Sequence, residues 1–189
     1  MNLDTTHPTA GRLRIGSLCS GYGGLDLAVE AVLGGRLLWY AENDRHAATV
    51  MSAHWPGIPN LGDITAVDWG QQPQVDIITA GFPCQDISNA GRRAGITGPK
   101  SSLWAHVADA VGEVRPQYVL VENVAALLRR GFEVCHSDLA ALGYDTRWTC
   151  IRASEVGAAH RRDRLFMLAT RKVSRTDCGD EEVADAVRS

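Results

Sequence analysis

Long apolar runs are missing from this chain of 189 residues. A membrane-spanning helix needs about 20 consecutive apolar residues, and no run approaches that length, so the sequence predicts no transmembrane segment. Residues 1–12 are polar and lack the apolar stretch of a secretory signal, so no signal peptide is expected. Together these absences favour a protein that is neither secreted nor embedded in a membrane.

The cysteines of this chain are irregularly spaced. The five cysteines are an odd number, and they form no C-x-x-C pair. This spacing argues against a disulfide framework and against a zinc site, and a reducing compartment fits it. We therefore expect no bound metal.

No excess of one charge marks the whole chain, because its formal net charge is only −3. The distribution is uneven, however, since residues 129–175 hold ten basic and five acidic side chains. Such a block can contact phosphate groups. A solvated arginine-rich surface explains the same pattern at least as well.

Short apolar runs alternate with longer amphipathic ones, and this rhythm predicts an α/β fold with a mostly parallel sheet and helices on both faces. Strands are expected at about residues 14–19, 37–41, 75–80, 118–121, 145–151 and 165–169, with one more short strand that ends near Asp63. Helices are expected at about 24–32, 44–53, 101–114 and 131–142, the last of them stopped by Gly143. Residues 86–100 are expected to form one mobile loop.

A glycine-rich turn joins the first strand to the first helix, and its sequence is Ser20-Gly21-Tyr22-Gly23-Gly24. Glycines let the backbone approach a ligand closely, and a helix N-terminus supplies free N–H groups. Glu42 ends the second strand, where a carboxylate can bind a ribose diol, and Asp63 can reach an amino group or a ring edge beside it. This pattern predicts a site for a nucleoside-containing cofactor, either a nicotinamide dinucleotide or S-adenosyl-L-methionine.

A thiol and a carboxyl group follow two strands that should be neighbours. Cys84 comes after the apolar run 75–80, and Glu122 comes after the run 118–121, so its carboxyl group should be partly buried. A thiol beside a carboxylic acid suits addition to a ring that is protonated as it is attacked. A buried structural cysteine and a helix N-cap are the alternative interpretations of the two residues.

Five stretches, in this order, resemble the motifs of the C5-cytosine-specific DNA methyltransferases. They are Ser20-Gly21-Tyr22-Gly23-Gly24, Glu42 with Asp63-Ile64-Thr65, Pro83-Cys84-Gln85, Glu122-Asn123-Val124 and Arg162-Asp163-Arg164. The resemblance implies a Rossmann-like, S-adenosylmethionine-dependent methyltransferase fold. It also implies an enzyme that methylates C5 of a cytosine flipped out of a DNA duplex.

The resemblance assigns roles to particular residues. Cys84 would add to C6 of the cytosine, Glu122 would bind and protonate N3, and Arg162 and Arg164 would lie beside the base. The residues expected at the cofactor are Cys19, Ser20, Gly21, Tyr22, Gly23, Gly24, Glu42, Asn43, Asp63, Ile64, Pro83 and Leu103. Those expected at the DNA, on a loop that closes over the base, are Gln85, Ser88, Arg92 and Arg93.

Three departures from the family pattern shape the remaining expectations. An aromatic residue usually stands where Cys19 lies, and Gln usually stands where His160 lies. The family also continues into a target-recognition domain and an Asn-bearing closing motif, for which this sequence shows no counterpart.

We therefore expect an extension over 1–12, a catalytic domain over 13–170, a disordered tail over 171–189 and no recognition domain. The resemblance implies a cytoplasmic protein of a bacterium or a phage-infected cell, with a second chain supplying base recognition in a split enzyme. A truncated product, a degenerate remnant, a non-catalytic cofactor-binding module and a tRNA cytosine-5 methyltransferase are the other interpretations.

Overall fold

The computed structural model describes residues 12–83 and 103–172. Its strands are β1 (Arg14–Leu18), β2 (Arg36–Ala41), β3 (Ile77–Ala80), β4 (Tyr118–Val124), β5 (Tyr144–Arg152) and β6 (Asp163–Arg171). Its α-helices are α1 (Gly24–Leu33), α2 (Arg45–His54), α3 (Leu103–Val114), α4 (Leu127–Arg130) and α5 (Phe132–Ala141). No helix among these residues is long and apolar enough to cross a membrane.

The strands form one six-stranded sheet in the order β2-β1-β3-β4-β6-β5. The first four are joined by parallel pairing, and β6 runs antiparallel between β4 and β5. The expected α/β sheet with mostly parallel pairing is confirmed. The carboxyl ends of β1 to β4 therefore meet at one edge of the sheet, which is where ligands bind in open α/β folds.

Helix ends follow the local sequence signals. Asp44 caps α2, because its Oδ1 accepts hydrogen bonds from the N–H groups of His46 and Ala47 at 2.9 and 2.8 Å. At the other end of the molecule, α5 stops before Gly143, whose φ of +89° lies in the region that favours glycine. The sequence predicted the start of the second helix at about residue 44 and the stop of the last one at Gly143.

Each face of the sheet carries its own apolar cluster. On one face, Val107 of α3 and Leu139 of α5 belong to the same fully buried cluster as Val121 of β4. On the other face, Val29 of α1 and Met51 of α2 pack with Ile77 of β3. Burying side chains of this size contributes roughly 1.5–3 kcal/mol each, so the two clusters stabilise the packing of the helices on both faces of the sheet.

The prediction of a strand that ends near Asp63 is wrong. This stretch makes a single bridge, between Tyr40 and Asn60, instead of a strand. Proline and glycine explain the difference, because Pro59 has no N–H to donate and Gly62 has a φ of +75°, outside the extended region.

The boundaries of two other strands also differ from those expected. β4 continues past Val121 to Val124, because β6 supplies antiparallel partners as far as the pair Val124 and Arg164. The strand expected at 75–80 begins only at Ile77. The expectations for residues 1–11, the loop 86–100, the tail from 173, and Cys84, Gln85, Ser88, Arg92 and Arg93 lie outside the described residues.

Candidate active site

A cavity of about 350 Å³ opens at the carboxyl ends of β1, β2 and β3. The lining residues are Cys19, Gly21, Ala41, Glu42, Asn43, Asp44, Gly62, Asp63, Ile64, Gly81, Pro83 and Leu103. Eight of them are residues that the sequence placed at a cofactor. Of that predicted set, only Ser20, Tyr22, Gly23 and Gly24 do not line it.

Glu42 lies at the centre of the hydrogen bonding in this cavity and is only 9% exposed. Its Oε2 accepts from the N–H of Gly21, and its Oε1 accepts from the N–H of Asp44, both at 2.7 Å. The carboxylate thus joins the turn after β1 to the turn after β2. Each carboxylate oxygen has a second lone pair, so Glu42 can still accept from ligand hydroxyl groups.

Asn60 fixes this arrangement from behind, and sequence reasoning missed it. Its Oδ1 accepts from the N–H groups of Glu42 and Gly62 at 3.1 and 3.0 Å, and its Nδ2 donates to the carbonyl of Glu42 at 3.0 Å. One amide therefore holds the Glu42 turn against the turn that carries Asp63. The only signal in the sequence was an Asn within a stretch rich in proline and glycine.

Three carboxylates, those of Glu42, Asp44 and Asp63, line the cavity, and the described lining includes no Lys, Arg or His. A hydrogen bond from the N–H of Thr65 lowers the pKa of Asp63, which keeps that side chain ionised. Burial, with the charges of Glu42 and Asp63, raises the pKa of Cys19 to about 12. The thiol therefore stays neutral. The three carboxylates make the cavity acidic, so it favours a cationic ligand.

Two glycines of the turn have different roles, because Gly21 lines the cavity whereas Gly23 packs against Trp55. Ser20 Oγ is buried without a hydrogen-bond partner in the described part of the chain, and a Cβ at Gly21 would meet open space. Both observations fit a ligand that lies against the turn. Gly23 instead has a φ of +77°, and a Cβ there would lie 2.4 Å from the ring of Trp55. Tyr22 is 67% exposed.

An ion pair lies at the same edge of the sheet, on the side away from β2. Nε of Arg164 is 2.6 Å from Oε1 of Glu122, and the two side chains are 21% and 29% exposed. Arg164 Nη1 also donates to the carbonyl of Asp163 at 2.9 Å. A short, half-buried pair of this kind fixes the orientation of the carboxyl group. The predicted partial burial of Glu122 is confirmed.

Asn123 links this ion pair to the segment that leads to Cys84. The residue is 3% exposed, and its Nδ2 donates to the carbonyl of Phe82 at 3.1 Å. The chain is thus tied to β4 two residues before Cys84, whose own position lies outside the described residues. Arg162 and His160 are exposed, and the structure shows no contact of their side chains with the Glu122 pair in the residues described.

The chain matches the family model "C-5 cytosine-specific DNA methylase" over residues 13–185. It is 35% identical over 164 residues to the Type II methyltransferase M.HgiBI of Herpetosiphon aurantiacus, covering 83% of this chain and 37% of that protein. It is 34% identical over 166 residues to the Type II methyltransferase M2.BsuMI of Bacillus subtilis, covering 84% of this chain and 42% of that protein. The chain therefore spans well under half of each relative.

Solved structures share the fold. The S. pombe Dnmt2 methyltransferase superimposes with a TM-score of 0.72 at 19% identity, covering 94% of this chain and 59% of that one. The Entamoeba histolytica methyltransferase EhMeth gives 0.72 at 16% identity, covering 88% of this chain and 55% of that one. The Rossmann-like methyltransferase fold expected from the sequence is confirmed.

Proposed function

This chain belongs to the C-5 cytosine-specific DNA methylase family, and from that premise we propose that it transfers a methyl group from S-adenosyl-L-methionine to C5 of a cytosine in DNA. One observation carries the proposal. The ion pair joins Glu122 of β4 to Arg164 of β6, and the neighbouring Asn123 holds the carbonyl of Phe82, two residues before Cys84 in the sequence. An oriented carboxyl group and a thiol are the two groups that addition to a pyrimidine requires.

The acidic cavity supports S-adenosyl-L-methionine over a nicotinamide dinucleotide. S-adenosyl-L-methionine carries a sulfonium and an ammonium against one carboxylate, whereas a dinucleotide would bring its anionic pyrophosphate beside Glu42, Asp44 and Asp63. Glu42 would bind the ribose, and Asp63 and Ile64 the adenine. Bound there, the cofactor supplies an electrophilic methyl group.

The residues on the other side of the site would activate the base. Cytosine C6 accepts a nucleophile readily only when N3 takes up a proton, which Glu122 would donate while Arg164 stabilises the carboxylate that remains. Cys84, after losing its proton to solvent, would form a bond from sulfur to C6. Once C5 holds the methyl group and S-adenosyl-L-homocysteine is released, the C5 proton would leave to solvent, the sulfur–C6 bond would break and N3 would return its proton to Glu122.

The base has to leave the duplex before Cys84 can reach it, because C6 is stacked inside double-stranded DNA. Flipping a nucleotide out costs a few kcal/mol, roughly, which contacts with the protein must offset. We propose Gln85, Ser88, Arg92 and Arg93 as the residues that contact the DNA around the flipped base. Arg162 would contribute beside them.

Substitution of Cys84 tests the proposal. The purified chain is incubated with radiolabelled S-adenosyl-L-methionine and cytosine-containing DNA. Cys84→Ser should lower methyl transfer at least about a thousandfold, because the hydroxyl is a far weaker nucleophile, and calorimetry should show unchanged cofactor binding. DNA containing 5-fluorocytosine should form a covalent adduct with the wild-type chain and none with Cys84→Ser.

Cys150→Ser is the matched control, because Cys150 is an exposed thiol on β5 outside the cavity. It should transfer methyl groups at the wild-type rate. Retained transfer by Cys84→Ser would refute the mechanism. Transfer to tRNA in place of DNA would change the substrate, and cofactor binding without an adduct would indicate a non-catalytic module.

One face of the sheet offers a surface on which a base-recognition portion can pack. A shallow cavity of about 260 Å³ on β4, β5 and β6 is lined by Leu120, Phe166 and Leu168 together with Arg147, Trp148 and Thr149, and Leu168 is 39% exposed. Curated relatives contain a large portion with no counterpart here. We propose that this portion, from a second chain or from the rest of a longer one, covers the Leu120–Phe166–Leu168 face.

A further inference from the structure

Asp26 is a buried carboxyl group that the chemistry above does not use. It lies in the first turn of α1 and is 1% exposed. Ser17 of β1 donates its hydroxyl to Oδ2 at 2.9 Å, and Thr79 of β3 donates its hydroxyl to Oδ1 at 2.5 Å. Ser17 and Thr79 are direct partners in the parallel pairing of β1 with β3. One carboxyl group thus fastens a helix to two central strands.

The place of these contacts connects Asp26 to the cofactor cavity. Ser17 stands two residues before Cys19, and Thr79 stands two residues before Gly81, and both Cys19 and Gly81 line the cavity. Asp26 itself follows the glycine turn directly after Gly24 and Leu25. The Asp26 carboxyl group is therefore held behind strand residues that adjoin the cavity wall, and solvent screens a charge buried there little.

We infer that Asp26 is a positioning residue for the cofactor site, which fixes the glycine turn against β1 and β3 and adds a buried negative charge that favours a cationic cofactor. The inference rests on the proposed function, since it requires S-adenosyl-L-methionine as the ligand. A sulfonium beside the cavity wall is attracted by this charge, whereas the neutral sulfur of S-adenosyl-L-homocysteine is not.

The environment of Asp26 places its titration within reach of experiment. Burial raises its pKa to about 6, and the hydroxyls of Thr79 and Ser17 oppose that rise. Glu30, one turn further along α1, is the charged group that acts on it, and it also raises the pKa. The partners from β1 and β3 are neutral. Below pH 6 the carboxyl group becomes protonated, so the attraction for a cation should disappear.

Calorimetry across pH 5 to 8 tests the inference with two ligands and two variants. At pH 8, Asp26→Asn should bind S-adenosyl-L-methionine roughly threefold to tenfold more weakly than the wild-type chain, with a smaller loss for S-adenosyl-L-homocysteine. At pH 5 the wild-type and Asp26→Asn affinities should converge. Thr79→Val, which removes a hydrogen bond that stabilises the carboxylate, should move the wild-type transition to higher pH.

Glu113→Gln is the matched control, because it makes the same change of charge at an exposed position on α3. Its affinity profile should follow the wild-type chain. Parallel profiles for the wild-type chain and Asp26→Asn, or an unmoved transition in Thr79→Val, would overturn the inference and leave the proposed function intact. Failure of the wild-type chain to bind either ligand would overturn the proposed function and the inference together.

Discussion

At the scale of single residues, the pair of Glu122 and Arg164 predicts how substitution of Glu122 changes the rate of methyl transfer. In Glu122→Gln an amide replaces the carboxyl group, so the side chain can no longer donate a proton to N3. Arg164, which is 21% exposed, also loses its charged partner. Methyl transfer should fall about 10²- to 10⁴-fold, the range typical of a lost general acid. Cofactor affinity should stay constant, because Glu122 does not line the cavity.

Steady-state transfer and calorimetry on the same preparation check this prediction. Glu113→Gln serves again as the control for loss of one carboxylate at a site remote from the cavity. A fall in cofactor affinity equal to the fall in rate would show that Glu122 supports the fold of the cavity instead of the chemistry of the base.

Asp26 yields a second prediction at this scale, on stability. Its folded-state pKa is raised from 3.8 to about 6, so its contribution to stability is fully present below about pH 3.8 and is lost as the pH rises through 6. Above pH 6 the wild-type chain must hold a buried charge, which Asp26→Asn avoids while keeping its shape. The variant should therefore be more stable than the wild-type chain at pH 8, by up to about 3 kcal/mol.

Urea unfolding at a series of pH values checks the prediction. Only the difference between the two chains is informative, because Asp76 and Asp63, whose pKa values are lowered, make opposite contributions. The difference should be near zero at pH 4 and should grow between pH 4 and 6. A difference that is independent of pH would contradict the assigned titration.

At the scale of elements, the packing of α1 against α2 depends on one glycine. A Cβ at Gly23 would lie 2.4 Å from the ring of Trp55 and 2.8 Å from the sulfur of Met51, and the φ of +77° is itself unfavourable for alanine. The ring cannot move freely, because Trp55 Nε1 donates to Glu30 at 3.0 Å. Gly23→Ala should therefore destabilise the chain by roughly 2 kcal/mol or more.

Gly24→Ala is the matched control for this change, one residue further along. A Cβ at Gly24 meets nothing within 4 Å, and the residue begins α1, where alanine is the better helix former. Its melting temperature should equal or exceed that of the wild-type chain. Equal melting temperatures for both variants would show that α1 and α2 can separate without cost.

The elements also show what the sequence could and could not predict. The cavity was predictable because its residues follow strands whose apolar runs are visible, and parallel strands bring their carboxyl ends together, as with Glu42 and Gly21. The sequence could not predict the contacts of Asn60, Asp26 and Asn123, because their partners depend on how distant segments pack. Asn123 and Phe82, for example, are 41 residues apart. No local pattern marks such a contact.

At the scale of the whole molecule, the two sides of the site differ in charge. At the cavity beside β1 to β3, the only charged groups in the described lining are carboxylates. On the other side of the site, Arg164 lies beside Glu122 at the same edge of the sheet. A cation on one side and an electron-rich, phosphate-linked base on the other fit this division. Asn123 connects the two sides, because it donates from β4 to the carbonyl of Phe82, which lies between the cavity residues Gly81 and Pro83.

The Leu120–Phe166–Leu168 face leads to the last prediction, on association. The curated relatives contain a portion that this chain does not span. If that portion covers this face, coexpressing it with this chain should raise methyl transfer to DNA. Leu168→Glu places a charge in the contact and should reduce the gain roughly tenfold or more, since central apolar contacts dominate interfaces. The measurement is radiolabelled transfer by the copurified complex.

Val134→Glu gives the control, because Val134 is similarly exposed, at 41%, but lies on α5, which packs against the opposite face of the sheet. It should leave the gain in transfer unchanged, and both variants should melt at the wild-type temperature because each position is already in contact with solvent. A gain that survives Leu168→Glu would move the contact to another surface, since a buried glutamate without a partner is incompatible with a tight apolar interface.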